Sequence, residues 1–364
     1  MSFKTTLLSL AMMAFTTGAW AQTQSVIDSN LLAELDEVII IGYGTSNAQD
    51  LTGSLVSVKA KAFQKGSFAT PEQLIIGKTP GVRITSNGGM PGAGSRIRIR
   101  GGSSLNASND PLVVIDGLPA NGLGMLNPSD IESFTILKDA SATAIYGSRA
   151  ANGVILVTTK KGKAGGPLKV DLHVVNSTRE VTKSLDVLSP SQFVDMINDR
   201  GTNTQINRLA TASGYEKVNG SIVMSDSARS TDWQDEIYRT GSVQDINVAI
   251  TGGIANLPYR LSMGYYHENG VLNRSDLKRY SLAINASPSF MDGRLTANVS
   301  GKVIKDDNFY ANQGAIGTAI FFDPTRPVHS GDTSFGGYFE WLMPNGTPST
   351  LSPKNPVGLI EHGS

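Results

Sequence analysis

The chain has 364 residues, 31 Lys plus Arg against 31 Asp plus Glu, and no cysteine. Balanced charge gives no field for nucleic acid, so no nucleic-acid partner is expected. Without cysteine there are no disulfides, no Cys-ligated zinc and no thiol chemistry, and the abundant glycine favours β structure with many turns.

Residues 1–21 read as a secretory signal peptide. Lys4 precedes an apolar stretch over 7–15, and Ala19-Trp20-Ala21 gives a small-x-small cleavage pattern. That stretch is too short to span a bilayer, and no later apolar run reaches about 20 residues. A mature chain that enters a membrane must therefore do so with strands. Residues 22–45 form a short lead that ends in a β-prone run: Glu37, Val38, Ile39, Ile40, Ile41 and Gly42. On pattern alone this run fits two roles equally. It is either the first strand of the next domain or an extended segment that adds to a partner's sheet edge.

Residues 46–166 alternate short strands, turns and helices, the pattern of an α+β domain. Thr70 and Pro71 suit the N-cap and first position of a helix that Gly77 ends. Arg96, Arg98 and Arg100 alternate with Ile97 and Ile99, which predicts a half-buried strand. This arginine ladder is a candidate for a domain interface or a substrate path, with a solvated strand face as the plainer role. Leu112–Ile115 reads as an apolar strand closed by an Asp116-Gly117 turn. A capped helical turn then leads to a strand over 134–137. An Ala-rich helix ending at Gly147, an Asn152-Gly153 turn and the strand Val154–Thr159 complete the domain. Residues 162–167 (GKAGGP) make a flexible joint.

Residues 167–364 change character. Leu257, Tyr259, Leu261, Met263 and Tyr265 point one way, against Arg260, Ser262 and Gly264. Tyr280, Leu282, Ile284, Ala286 and Phe290 oppose Arg279, Ser281, Asn285 and Ser287 in the same manner. Residues 294–303 repeat the pattern with Leu295, Ala297, Val299 and Val303. Two further candidates carry Ile246, Val248 and Ile250, and Leu168, Val170, Leu172 and Val174. These five candidates have about the 9–11 residues that a tilted strand needs to cross a bilayer. A soluble sandwich also alternates. The connections near 252–256 and 291–293 are short, whereas those over 184–240, 268–277 and beyond 306 are longer. That alternation favours a membrane barrel. Tyr259 and Phe290 then lie near one rim, and Tyr265 and Tyr280 near the other. Five strands cannot close a barrel without bare edges in hydrocarbon, so the chain is read as the front part of a longer protein.

Enzyme chemistry finds no support. His173, His267, His329 and His362 are scattered without metal-ligand spacing. Asp306-Asp307-Asn308 lacks an EF-hand register, the glycine-rich 88–94 lacks the Lys-Ser/Thr of a phosphate loop, and there is no G-x-S-x-G elbow. No catalytic residue, metal or cofactor is expected. Trp233, Tyr338, Phe339 and Trp341 fall in candidate external loops, where they either stack on sugar rings or pack the loops.

Several segments resemble the SusC-type TonB-dependent outer-membrane transporters. They include LDEVIIIGYGT (35–45), SRIRIRGGSSLNASNDPLVVIDGLP (95–119), ILKDASATAIYGSRAANGVILVTTKKGK (136–163), DWQDEIYRTG (232–241), ENGVLNRSDLKRYS (268–281) and DPTRPVH (323–329). The resemblance implies an α+β plug domain followed by the first strands of a transmembrane antiparallel β-barrel, about five of 22. It implies that the residues from Glu37 to Gly42 act as a TonB box, pulled by a TonB-type energy transducer so that the plug moves and opens a path. A SusD-like surface lipoprotein, oligosaccharide or peptide cargo and outer-membrane lipid are the other implied partners. The extra small β domain that many of these transporters carry before the plug has no counterpart here. Two other readings stay open: a plug-based periplasmic binding or regulatory module, and a soluble extracellular β-sandwich adhesin.

Overall fold

A computed structural model describes residues 38–41, 44–47, 55–86, 88–99, 101, 108–139, 143–210, 214–225, 229–331, 333–343, 345–350 and 352–362. The signal peptide read at 1–21, together with Glu37, Gly42 and Arg100, lies outside these residues. Val38–Ile41 (β1) pairs antiparallel with Gly44–Asn47 (β2), with Ile40 opposite Thr45. This hairpin belongs to a unit of its own.

The second unit contains two five-stranded sheets. The first is built from Leu55–Lys59 (β3), Leu112–Ile115 (β6), Leu118–Ala120 (β7), Ile131–Leu137 (β8) and Val154–Thr159 (β9), in the order β3-β8-β9-β6-β7. Between β3 and β6, Val82–Ser86 (β4) and Ser95–Ile99 (β5) form an antiparallel hairpin that packs beside this sheet. β9 runs antiparallel to β8 and parallel to β6, so it is central and almost wholly buried. Its continuous VILVTT run is what such a strand requires. Ile75, Leu126, Phe134, Ile136, Ile155 and Val157 form the core, with Ile97 and Ile99 from β5 sealing it. Asp116 and Gly117 both have positive φ, which gives the two-residue turn joining β6 to β7 a twist that matches its strands.

Three expectations shift here. The predicted helix after Thr70 is a 3-10 segment, Pro71–Ile75, and the Thr70 side chain makes no cap hydrogen bond. The Ala-rich helix does not stop at Gly147. It kinks there, at φ 67°, and a further 3-10 turn runs to Ala150. β3 and β4 had no counterpart in the sequence reading; each is only five residues long, although Val82 and Ile84 alternate with Arg83 and Thr85 in β4.

The second sheet is antiparallel: Lys169–Arg179 (β10), Gly241–Ile254 (β13), Leu257–Asn269 (β14), Asp276–Ala286 (β15) and Val299–Phe309 (β18), paired in that order. Between β10 and β13, Tyr215–Val218 (β11) and Ser221–Met224 (β12) form a small hairpin. Ser289–Phe290 (β16) and Leu295–Thr296 (β17) form another before β18. The fifth long strand therefore begins at Val299 rather than at 294. Met291 and Asp292 adopt positive φ, and Leu295 and Thr296 turn back on β16.

Register separates the two faces. Leu172, Val248, Met263, Leu282 and Val303 form one row across the sheet, and Val170, Ile250, Leu261 and Ile284 the next. Met263 is 57% exposed and Val303 64%, whereas Arg260 and Ser262 on the opposite face are 6% and 7% exposed. The oily face lies open, and on the three central strands β13, β14 and β15 the polar face is buried against the first domain. This inverts a soluble sandwich, in which apolar faces meet. From Leu257 to Tyr265 the apolar stripe runs roughly 27 Å along the strand, at about 3.4 Å per residue. At its far edge Tyr265 stands opposite Tyr280, ring centroids 5.3 Å apart. Beyond them come His267 and Lys278. Aromatic rings at an apolar-to-polar border match a membrane interface.

The strand ends also differ. Ala255 and Asn256 alone join β13 to β14, and the β16–β17 turn lies at the same end. Residues 180–240, 270–275 and those after Phe309 lie at the other end. The 270–275 connection, expected to be long, has six residues because β14 and β15 extend further than their alternation suggested. The described residues of the 180–240 segment are themselves folded. Helix Pro190–Arg200 starts at a capping box between Ser189 and Gln192, and Asp232 caps Trp233–Ile237. Trp233, Phe322 and Leu359 share a core there. Arg326 is almost fully buried between the rings of Tyr215, Phe339 and Trp341 and bonds to Asp323 at 3.1 Å. Of the four loop aromatics, Trp233, Phe339 and Trp341 thus pack the loops on one another, and Tyr338 lies tilted over His329 and edge-to-face with His362.

Candidate functional site: the interface between the α+β domain and the strand sheet

The polar face of the second sheet holds the first domain through a ladder of side chains, each placed by strand register. At the end of the short turns, Arg260 of β14 reaches Asp130 at 3.0 Å, and both side chains are more than nine-tenths buried. Asp130 sits in a 3-10 turn, Pro128–Asp130, that is started by Asn127, whose Oδ1 accepts the Ser129 N–H at 2.9 Å. The same Asn127 turns its Nδ2 outward to donate to Asn247 Oδ1 at 2.6 Å and to Ser281 Oγ at 2.7 Å. Asn247, Gly264 and Ser281 are direct neighbours across β13, β14 and β15. Gly264 makes the gap that admits the amide. A Cβ at Gly264 would lie 2.5 Å from Asn247 Oδ1 and Ser281 Oγ, and closer still to Asn127 Nδ2.

Higher up, Ser67 donates to Asp245 at 3.1 Å, and Arg279 donates to the Ala69 carbonyl while gripping Asp306 through two 2.7 Å bonds. Asp306, weighed in the sequence for calcium, is therefore a counter-ion. Arg179 pairs with the buried Glu268 at 3.1 Å and donates to the Ser67 carbonyl. Ala69 meets Val243, Tyr266 and Leu277 in a small apolar cluster. At the outer end Gly92 faces Leu277, and Pro91 faces Gly270. At the β18 side, Lys302 reaches Asp116 at 3.0 Å. Burial pushes the Asp116 carboxyl up, but bonds from the Thr159 N–H and hydroxyl, joined by Lys302, outweigh it and leave the group below its ordinary value.

The sequence-predicted residues lie elsewhere. Val38, Ile39, Ile40 and Ile41 are β1 of the separate hairpin. Arg96 is exposed, and Arg98 pairs with Asp110 of its own domain at 2.6 Å rather than with a carboxylate of the strand sheet. The bond from Ser108, then the one from Arg98, hold the Asp110 carboxyl below its ordinary value. Sequence reasoning named Arg260 only as part of a strand's polar phase, and did not single out Asn127, Asp130 or Asn247. The usable signal was the polar phase of the strands, which places Arg260 and Ser281 on the buried face but says nothing of their partners.

Residues 47–154 match the family model described as the TonB-dependent receptor plug domain. The TonB-dependent receptor SusC of Bacteroides thetaiotaomicron is 43% identical over 352 residues, covering 90% of this chain and 33% of that receptor. A TonB-dependent receptor of Formosa agariphila is 34% identical over 87% of this chain and 32% of its own length. The chain thus spans about a third of the curated relatives it matches. A solved structure of the RagAB peptide importer in its open-open state superposes with a TM-score of 0.69 at 23% identity, over 89% of this chain and 38% of that one. The shared fold includes the barrel strands.

Proposed function

Because the chain belongs to the SusC-type TonB-dependent receptors, as their plug and the portion that follows it, we propose that it supplies the stopper and first wall strands of an energised importer. Family membership places it in the outer membrane with the plug toward the periplasm, in a family of transport proteins rather than enzymes. In this reading residues 22–45 are the periplasmic lead, 46–166 the plug and 167–364 the wall strands with their external loops. Oligosaccharides or peptides are the proposed cargo class, delivered by a SusD-like surface lipoprotein, as the resemblance to the SusC-type transporters implies.

One observation carries the mechanism. Among the described residues, the plug meets the wall mainly through hydrogen bonds and ion pairs, with a single small apolar cluster. Water can take over each polar bond as it breaks, so separation costs far less than opening an apolar core. A pull applied through the lead therefore has a weak seam to act on. The segment Glu37, Val38, Ile39, Ile40, Ile41 and Gly42 is the proposed handle, adding as a strand to the TonB-type transducer. β1 suits that role because it already adopts paired, extended backbone. Arg96, Arg98 and Arg100 are proposed to border the path opened by plug movement.

Ile40→Pro removes a backbone donor from the handle. In cells making the complete receptor, uptake of labelled cargo is expected to fall at least tenfold, with outer-membrane levels unchanged. Uptake at the unaltered rate would rule the handle out.

A further inference from the structure

A cavity of about 430 Å³ opens between the plug and the polar face of β10, β13 and β14. Its walls include three cations, Lys160, Lys169 and Arg260, against two carboxylates, Asp130 and Asp171. Two cations are matched: Lys169 with Asp171 at 2.6 Å, and Arg260 with Asp130 at 3.0 Å. Lys160 is not. Its Nζ donates to the Ser129 carbonyl at 2.7 Å, and no described carboxylate comes within ion-pair distance of it. A second observation points the same way. Arg260 is 6% exposed, and its Nε–H is buried with no acceptor from the protein. A buried donor left unmatched costs about 1–3 kcal/mol, more when charged, so one further acceptor would satisfy both groups.

We infer that this cavity binds a small oxyanion, a phosphate or a carboxylate, held between Lys160 Nζ and Arg260 Nε and tying the plug to the wall. Lys160 belongs to the plug and Arg260 to β14, so an anion between them bridges the two bodies. Ser262 lines the same space and offers a further donor. Burial, then the charge of Arg260, pushes the Lys160 ammonium below its ordinary pKa, against the pull of Asp130, Asp171 and Glu132, which act on it from beyond ion-pair distance. An anion would relieve both effects. The site does not depend on the import reading, since it concerns binding alone.

The test uses the complete receptor purified in detergent, with inorganic phosphate titrated at constant ionic strength against chloride and acetate. A ligand of the folded state raises the melting temperature with its concentration and saturates. Phosphate is expected to do so, and acetate to do so more weakly. Lys160→Met keeps the apolar stem, and is expected to hold its melting temperature without phosphate while weakening phosphate at least tenfold. Lys160→Arg is expected to retain binding. The inference fails if phosphate gives no saturable rise beyond chloride, or if Lys160→Met responds as the parent does. It also fails if a structure of the complete receptor shows one of its own carboxylates seated between Lys160 and Arg260.

Discussion

A receptor carrying Gly264→Val is expected to keep its strand sheet and lose the seat of Asn127. The valine side chain faces the plug, so the β13–β14–β15 ladder can form around it. The new Cβ would fall within 2.5 Å of Asn247 Oδ1 and Ser281 Oγ. Asn127 must withdraw, breaking two hydrogen bonds worth about 1 kcal/mol each. Its displacement adds the roughly 1–3 kcal/mol that overpacking costs. The combined loss of at least about 3 kcal/mol falls on plug docking. Hydrogen exchange is the direct readout. Amides of Ser129 and Asp130 should exchange on the order of a hundredfold faster, while those of β14 stay protected. Asn127→Ala should reproduce the smaller part of the effect, because it removes the bonds without the collision. Unchanged protection in Gly264→Val would mean that Asn127 does not sit over this gap.

The Asp130–Arg260 pair carries the second large expectation. Asp130→Ala strands a guanidinium that is 6% exposed, and removing one partner of a buried pair costs about 3–5 kcal/mol. The double replacement Asp130→Leu with Arg260→Met removes both charges and is expected to recover most of that loss. Asp130→Leu alone and Arg260→Met alone complete the cycle that isolates the pair itself. Thermal unfolding of the purified receptor, followed with a probe on the plug, measures each variant. If Asp130→Ala unfolds like the parent, the pair is solvated and does not anchor the plug.

The wall strands were legible because their environment is asymmetric. Oily side chains every second residue, as in Leu261, Met263 and Tyr265, leave Arg260, Ser262 and Gly264 for the buried polar face, and the structure keeps that division. The central plug strand β9 was legible for the opposite reason, as a continuous apolar run. What the sequence hid were pairings between distant positions. Asp130 finds Arg260 across 130 residues, and Asn127 finds Ser281 across 154. Nothing local distinguishes Asn127 from any other Asn before a Pro. Gly264 reads as a break in the polar phase, and its purpose shows only once the plug is in place. The loop helices were missed for a different reason: Ser189-Pro190 followed by Gln192 is a local capping signal that marks the first of them, but 184–240 was read only as a connection.

For cargo to pass, the plug must part from the wall's polar face. The chain contains no cysteine, so Ser67→Cys and Asp245→Cys, whose parent side chains touch at 3.1 Å, form a unique pair in it. Joined by a short reducible cross-linker in the complete receptor, they should drop energised uptake to background, and reduction should restore it. Full uptake with the link in place would show that this seam stays shut during transport.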